Sequence, residues 1–225
     1  MKAIRLAAVC GLFWAALSAV TSALGAEPGL VVHEWGTFTT LQGDDGRELT
    51  GVNVDDEPVP EFVHNLGSWI LRPALLTSRH WQYRSKQTPR HHPLVTMRLE
   101  TPVIYFYPPA DMKLPQAVDV HVRFRGGWLT EFYPKAEPVA PGVTDIRDVD
   151  QQAFRKLTKD TISSLSWVDL KVGQEGKLPK TDWPVWLAPR KVHAATITAR
   201  GGESEKYVFY RGVANQRSPL SVSTD

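Results

Sequence analysis

The sequence predicts a mainly β fold: an antiparallel β-sandwich-like domain with one or two short helices in insertions. Three observations point there. Apolar residues recur with period two in several short runs, as half-buried strands require. Proline and glycine, 17 and 16 residues respectively, punctuate the chain with turn signals. Helical periodicity is confined to two stretches.

The first strand candidate is residues 30–40, which contains VVHEWGTFTT. As a regular strand it puts Val31, His33, Trp35, Thr37 and Thr39 on one face and Val32, Glu34, Gly36, Phe38 and Thr40 on the other. Gly36 suits a bulge or a close backbone approach. PEFVHNLGSWILR, residues 60–72, offers a helix with Pro60 in its first turn and Phe62, Leu66, Trp69 and Ile70 at helical spacing. Gly67 weakens that helix by about 1 kcal/mol relative to alanine. Residues 94–107 read as one kinked strand or two short ones, because Pro102 cannot donate a ladder hydrogen bond.

AVDVHVRFRG, residues 117–126, carries the clearest alternation, with Val118, Val120, Val122 and Phe124 against Asp119, His121, Arg123 and Arg125. Gly126 and Gly127 supply a turn before WLTEFYP, so residues 117–134 read as a hairpin. Its second arm places Trp128, Thr130 and Phe132 on one face and Leu129, Glu131 and Tyr133 on the other. A helix is expected from about Asp148 to Leu165, where Phe154, Leu157 and Leu165 share a face and Asp148 or Asp150 caps the start. Residues 166–172, 191–199 and 206–211 complete the strand set. The proline-bearing stretch 135–143 is the best boundary candidate, yet residues 26–225 are expected to form one mainly β domain.

The N-terminus has the three parts of a secretory leader: Lys2 and Arg5, an apolar run from Leu6 to about Val20, and small residues at Ala23, Gly25 and Ala26. A signal peptide spanning residues 1–25 follows, with cleavage before Ala26. Export to the periplasm or the extracellular space is the expectation, and no later segment is apolar enough for a transmembrane anchor. The only cysteine, Cys10, falls inside the leader, so the mature chain rests on its core without disulfides.

Removing Lys2 and Arg5 with the leader leaves 24 of the 26 basic residues against 24 acidic ones. No basic excess remains to suit nucleic acid. Charge is nevertheless segregated. Asp44, Asp45, Glu48, Asp55, Asp56, Glu57 and Glu61 form an acidic region, and Arg72, Arg79, His80, Arg84, Lys86, Arg90, His91, His92 and Arg98 a basic one. These are solvated loops, or a cation and an anion site.

Several chemistries lack their motifs. There is no HExxH, no calcium loop at GDDG (residues 43–46), no GxSxG elbow and no glycine-rich phosphate loop. No metal or cofactor is expected, and cysteine catalysis is excluded in the mature chain. What remains for acid–base chemistry is His33 with Glu131 or Glu100, or a pair of carboxylates drawn from Glu34, Glu100 and Glu131, as glycoside hydrolysis requires. On opposite strand faces, His33 and Glu34 cannot share a metal without a bulge. The aromatic supply is the other lead. Seven of the eight tryptophans lie beyond the leader, Trp183 and Trp186 stand together in KTDWPVWLAPR, and Trp35 can stack on its own face.

HEWGTFT (residues 33–39), LETPVIYFY (99–107), GGWLTEFYP (126–134) and FYRG (209–212) together resemble the signature segments of an uncharacterised family of exported bacterial proteins. That resemblance implies export and carries no assigned activity, cofactor or site. Members of that family run on after FYRG, so this chain is expected to be a shortened version. The functional expectation is a non-catalytic binding or structural module of the cell envelope, taking a carbohydrate or protein ligand through Trp35, Trp183 and Trp186. The alternative is a secreted hydrolase using His33, Glu100 and Glu131.

Overall fold

A computed structural model describes residues 29–53, 58–66, 84–85, 88–89, 92–141 and 157–220. The leader, the first part of the helix expected from Asp148, and most of the basic region lie outside the described residues.

Two antiparallel sheets pack face to face, as the alternation predicts. The first begins with β1 (Val31–Trp35) and β2 (Phe38–Thr40), which form one kinked edge. β3 (His64–Asn65) closes the opposite edge. β4 (Arg84–Ser85) and β5 (Thr88–Pro89) form a separate two-stranded ladder. β6 (Met97–Leu99) and β7 (Val103–Tyr107) pair with β2 and β1 respectively. β8 (Gln116–Arg125) belongs to the second sheet, and β9 (Gly127–Tyr133) to the first. β10 (Glu137–Val139), β11 (Ile162–Val172), β12 (Ile197–Thr198) and β13 (Ser204–Glu205) complete the second sheet. β14 (Val208–Ala214) returns to the middle of the first, with β9 on one side and β6 and β7 on the other.

The break between β6 and β7 is the one Pro102 dictates. Glu100–Pro102 lie between the two pieces, and the Tyr210 amide donates to the Pro102 carbonyl across the gap. The edge strand bends at the same level, where a Cβ on Gly36 would stand 3.1 Å from the Pro102 Cα. Gly36 thus serves the close approach its position suggests.

The expected hairpin over 117–134 is not one. β8 pairs with β11, whereas β9 pairs with β14 and β3, so the glycine turn, with Gly126 at φ +97°, carries the chain from one sheet to the other. Burial explains the choice. β8 alternates between half-buried and exposed and suits a sheet edge, while all seven residues of β9 are buried and need neighbours on both sides. A register shift against Arg211 and Gly212 leaves Thr130 as an extra residue on β9. That bulge lets Leu129 join Phe132 in the inter-sheet core, parting it from Glu131 and Tyr133.

Both expected helices need correction within the described residues. Ile162–Leu165 belongs to β11, because Ser163, Leu165 and Trp167 are buried with period two. In the stretch from Pro60, His64 and Asn65 form β3 against β9. Of residues 191–199 only Ile197–Thr198 is strand, and a 3-10 turn occupies Pro189–Lys191. A single turn of α-helix, α1, spans Pro184–Leu187. No helix among the described residues is long and apolar enough to cross a membrane.

Ile104, Phe106, Leu129, Phe132, Val208 and Tyr210 of the first sheet meet Leu165, Trp167, Leu170, Val172 and Ile197 of the second in the main core. A second apolar layer covers the far side of the first sheet, where Val103, Tyr105, Tyr133, Tyr207 and Phe209 lie under Val63, Trp186 and Ala194. That outer layer positions the site.

Candidate functional site

Pro184 starts α1, since a ring with no amide hydrogen is tolerated at the first helical position. One turn of helix swings Trp186 onto the sheet, edge-on to Phe209 at 5.0 Å and to Phe62 at 5.2 Å. Trp183, half-buried, stays at the margin. Between them opens a small apolar pocket of about 40 Å³. Val103, Tyr207 and Phe209 line it from the sheet, Pro58–Pro60 and Pro189 from the flanks, and Thr101 and Arg211 add polar groups. The two tryptophans singled out in the sequence therefore do line one cavity.

A buried carboxylate fixes the pocket wall. Glu205 is fully buried, and its oxygens accept from Trp186 Nε1 at 2.9 Å, from Arg190 Nε at 3.0 and 3.1 Å, from Arg190 Nη2 at 2.7 Å and from the Lys206 amide at 2.8 Å. Tyr207 donates its hydroxyl to the Trp186 carbonyl at 3.0 Å. Burial, reinforced by Tyr107 and the Glu205 charge, pushes the Tyr105 hydroxyl up to about 12, and burial with Glu205 raises Tyr207 further still. These phenols are neutral donors at any physiological pH.

A second carboxylate ties the sheets together. His64 on β3 donates from Nε2 to both oxygens of Glu203 at 2.8 and 2.9 Å, and the Lys135 amide adds a bond at 2.7 Å. The His64 ring stacks on Phe132 and Tyr133. Burial pushes the Glu203 carboxyl up, but the bonds from His64 and Lys135 outweigh it and hold it below its ordinary value.

Of the residues proposed for acid–base chemistry, Glu100 and Glu131 flank β14 near Arg211, and His33 stands apart. Glu131 is buried on β9 and accepts from Arg211 Nε beside it on β14. Glu100 sits in the β6–β7 break and pairs with Arg98 Nε at 2.7 Å. His33 is exposed on the edge, packed at 5.0 Å on Tyr107. It lies opposite Tyr105, on the level of Tyr207, so four residues along β14 and three strand spacings separate its backbone from Glu131 by roughly 20 Å. No single bond of a substrate fits between them. Glu34 points to the other face of β1, where it accepts from the Tyr210 hydroxyl. Among the described residues no group of three His, Cys, Asp or Glu side chains is placed to hold a metal ion.

Trp35 faces the same side as the pocket, one strand further out, since its register partner Val103 lines the cavity. Sequence reading did not single out Glu205 and Arg190, which fix Trp186 in the pocket wall, or the His64–Glu203 pair. One signal was available: in ESEKYVFY, Glu203 and Glu205 share their parity with Tyr207 and Phe209, which places carboxylates on an aromatic face.

Comparison with protein-family models, curated proteins and solved structures finds no match to the chain.

Proposed function

We propose that the protein is an exported, non-catalytic binding module that takes an apolar side chain of a protein ligand of the cell envelope into the Trp183–Trp186 pocket. The observation that carries this reading is the pocket's construction. Two tryptophans, three prolines and a sheet of aromatic rings form its walls, and buried hydrogen bonds through Glu205 hold Trp186 in place. Apolar cavities with a few fixed polar groups are the ordinary form of a binding site. Of the two ligand classes, a protein side chain fits better than a sugar. Each buried sugar hydroxyl needs a partner, and the lining offers little beyond Thr101 and Arg211. Export is supported by the three-part leader.

A hydrolase is the weaker reading because Glu131 and Glu100 are each paired with an arginine and His33 stands roughly 20 Å from Glu131. The test is a titration of the protein with N-acetyl-tryptophanamide, N-acetyl-leucinamide and a methyl glycoside, followed by tryptophan fluorescence. Binding of the amino-acid amides, weakened about 10- to 100-fold by Trp183→Ala and unchanged by His33→Ala, supports the reading. Saturable binding of the glycoside alone, or turnover of a glycoside lost in His33→Ala, overturns it.

A further inference from the structure

The edge formed by β1 and β2 is built to receive another strand, and we propose that the strand it receives is the same edge of a second copy of this chain, paired antiparallel about a two-fold axis through Trp35. Among the described residues, β1 and β2 pair only inward, with β7 and β6, and no strand lies on their other side. Every residue from Val31 to Phe38 is exposed. The apolar ones are prominent: Val31 is 45% exposed, Val32 48%, Trp35 67% and Phe38 50%.

An unprotected edge of this kind is uncommon, because a row of outward N–H and C=O groups templates association. Edges are normally kept single by charge or proline. The molecule itself supplies the contrast. β8 is also an edge, pairing only with β11, and its exposed positions carry Asp119, His121, Arg123 and Arg125. β10 carries Pro138. Residues 31–40 contain no lysine, arginine or proline.

The sequence of the edge matches itself. When Trp35 faces its own counterpart, Val32 opposes Phe38, Val31 opposes Thr39, His33 opposes Thr37 and Glu34 opposes Gly36. No like charges meet, and an aromatic pair forms at the centre, both of which favour cross-strand pairing. A strand from an unrelated partner requires no such internal match. With side chains of 150–250 Å² for the aromatics, the exposed apolar groups offer roughly 400 Å² per copy, so two copies reach about 800 Å² before the paired backbones are counted, at the small end of specific interfaces. Each copy has one such edge, so the assembly closes at two.

Light scattering on the purified protein over a micromolar concentration range tests this, and a dimer is the expected result. Val32→Lys places one lysine against each Phe38 of the dimer and should raise the dimer dissociation constant by at least about 100-fold with the circular dichroism unchanged. Val139→Lys, at a comparably exposed position on β10, should leave the dimer intact. Trp35→Cys in a Cys10→Ser chain provides a second readout, independent of how Val32→Lys folds. The two-fold axis puts the paired Cα atoms about 5 Å apart, within disulfide range, so mild oxidation should cross-link the dimer. A protein that is monomeric throughout, a dimer indifferent to Val32→Lys, or a dimer that Trp35→Cys does not cross-link overturns the proposal.

Discussion

Glu205→Ala removes the anchor of the pocket wall, and its cost can be worked from the contacts. The carboxylate is fully buried and satisfies Trp186 Nε1, two nitrogens of Arg190 and the Lys206 amide. Breaking one side of a buried ion pair costs about 3–5 kcal/mol, because the remaining charge stays desolvated. Arg190 keeps its bond to the Pro179 carbonyl at 2.9 Å and its side chain retains 14% exposure, which argues for the lower end. A loss of about 3 kcal/mol is a large share of a typical 5–15 kcal/mol stability. At this chain length it corresponds to a fall in Tm of roughly 6–12 °C. Urea unfolding followed by tryptophan fluorescence reads the change as a lower midpoint at constant slope. Removing both partners, in Glu205→Leu with Arg190→Met, should recover most of the loss, since no unpaired charge remains. A single substitution costing under about 1 kcal/mol, or a double one no better than the single, refutes the assignment of Glu205 as the buried anchor.

Two further outcomes follow from the fold and a third from the sequence of the leader. A Cβ on Gly212 would lie 2.0 Å from the Trp128 carbonyl oxygen, backbone against backbone between two strands, so Gly212→Ala should destabilise by at least about 3 kcal/mol in urea unfolding. Glu203 has a folded-state pKa depressed below 4.5, so its contribution is fully present above that value and declines as pH falls below it; the stability difference between wild type and Glu203→Gln should therefore shrink under acid conditions and stay constant at neutral pH. Mass spectrometry of the protein recovered from an exporting host should show a chain beginning at Ala26, and an intact Met1 form confined to the cytoplasm counts against the leader.

The alternation in β8 was legible because a half-buried edge strand writes burial directly into period two. Pairing was not. Gly126–Gly127 fits a hairpin and a crossover between sheets equally well, and only the uniformly buried character of β9 separates them. The tail of the expected helix at Ile162–Leu165 misled for a related reason, as Leu157 and Leu165 fit a helical face while Ser163, Leu165 and Trp167 fit a strand. That Trp183 and Trp186 lie together was legible because the two are local and Pro184 marks the break in strand structure. Glu203 and His64 lie 139 residues apart in the chain, and no local pattern encodes a partner at that distance. The distribution of charge misled in the opposite direction: Glu131 and Glu100 are conspicuous in sequence and are occupied by Arg211 and Arg98 in the fold.

The two surfaces left without a structural task lie on the same sheet, and their relation yields a last prediction. Within VVHEWGTFTT, His33 packs on Tyr107, Glu34 receives the Tyr210 hydroxyl and Gly36 clears Pro102, so the fold accounts for each of them. Val31, Val32, Trp35 and Phe38 are the exposed apolar residues that remain at the edge. A two-fold axis through Trp35 that continues the sheet must run perpendicular to it, because it brings the same face of β1 together with itself. Trp35 shares its face with Val103 and hence with the pocket, so the dimer opens both pockets toward one side. A partner displayed in many copies on a surface can then engage both at once. The second contact is intramolecular, and the gain in avidity reaches about 10²–10⁴ without any new interaction. Surface-immobilised N-acetyl-tryptophan ligand at high density should therefore retain wild type far longer than Val32→Lys, while the same compound free in solution binds both equally. Equal retention at high density means that the pockets do not face the same way, and the two-fold arrangement fails with it.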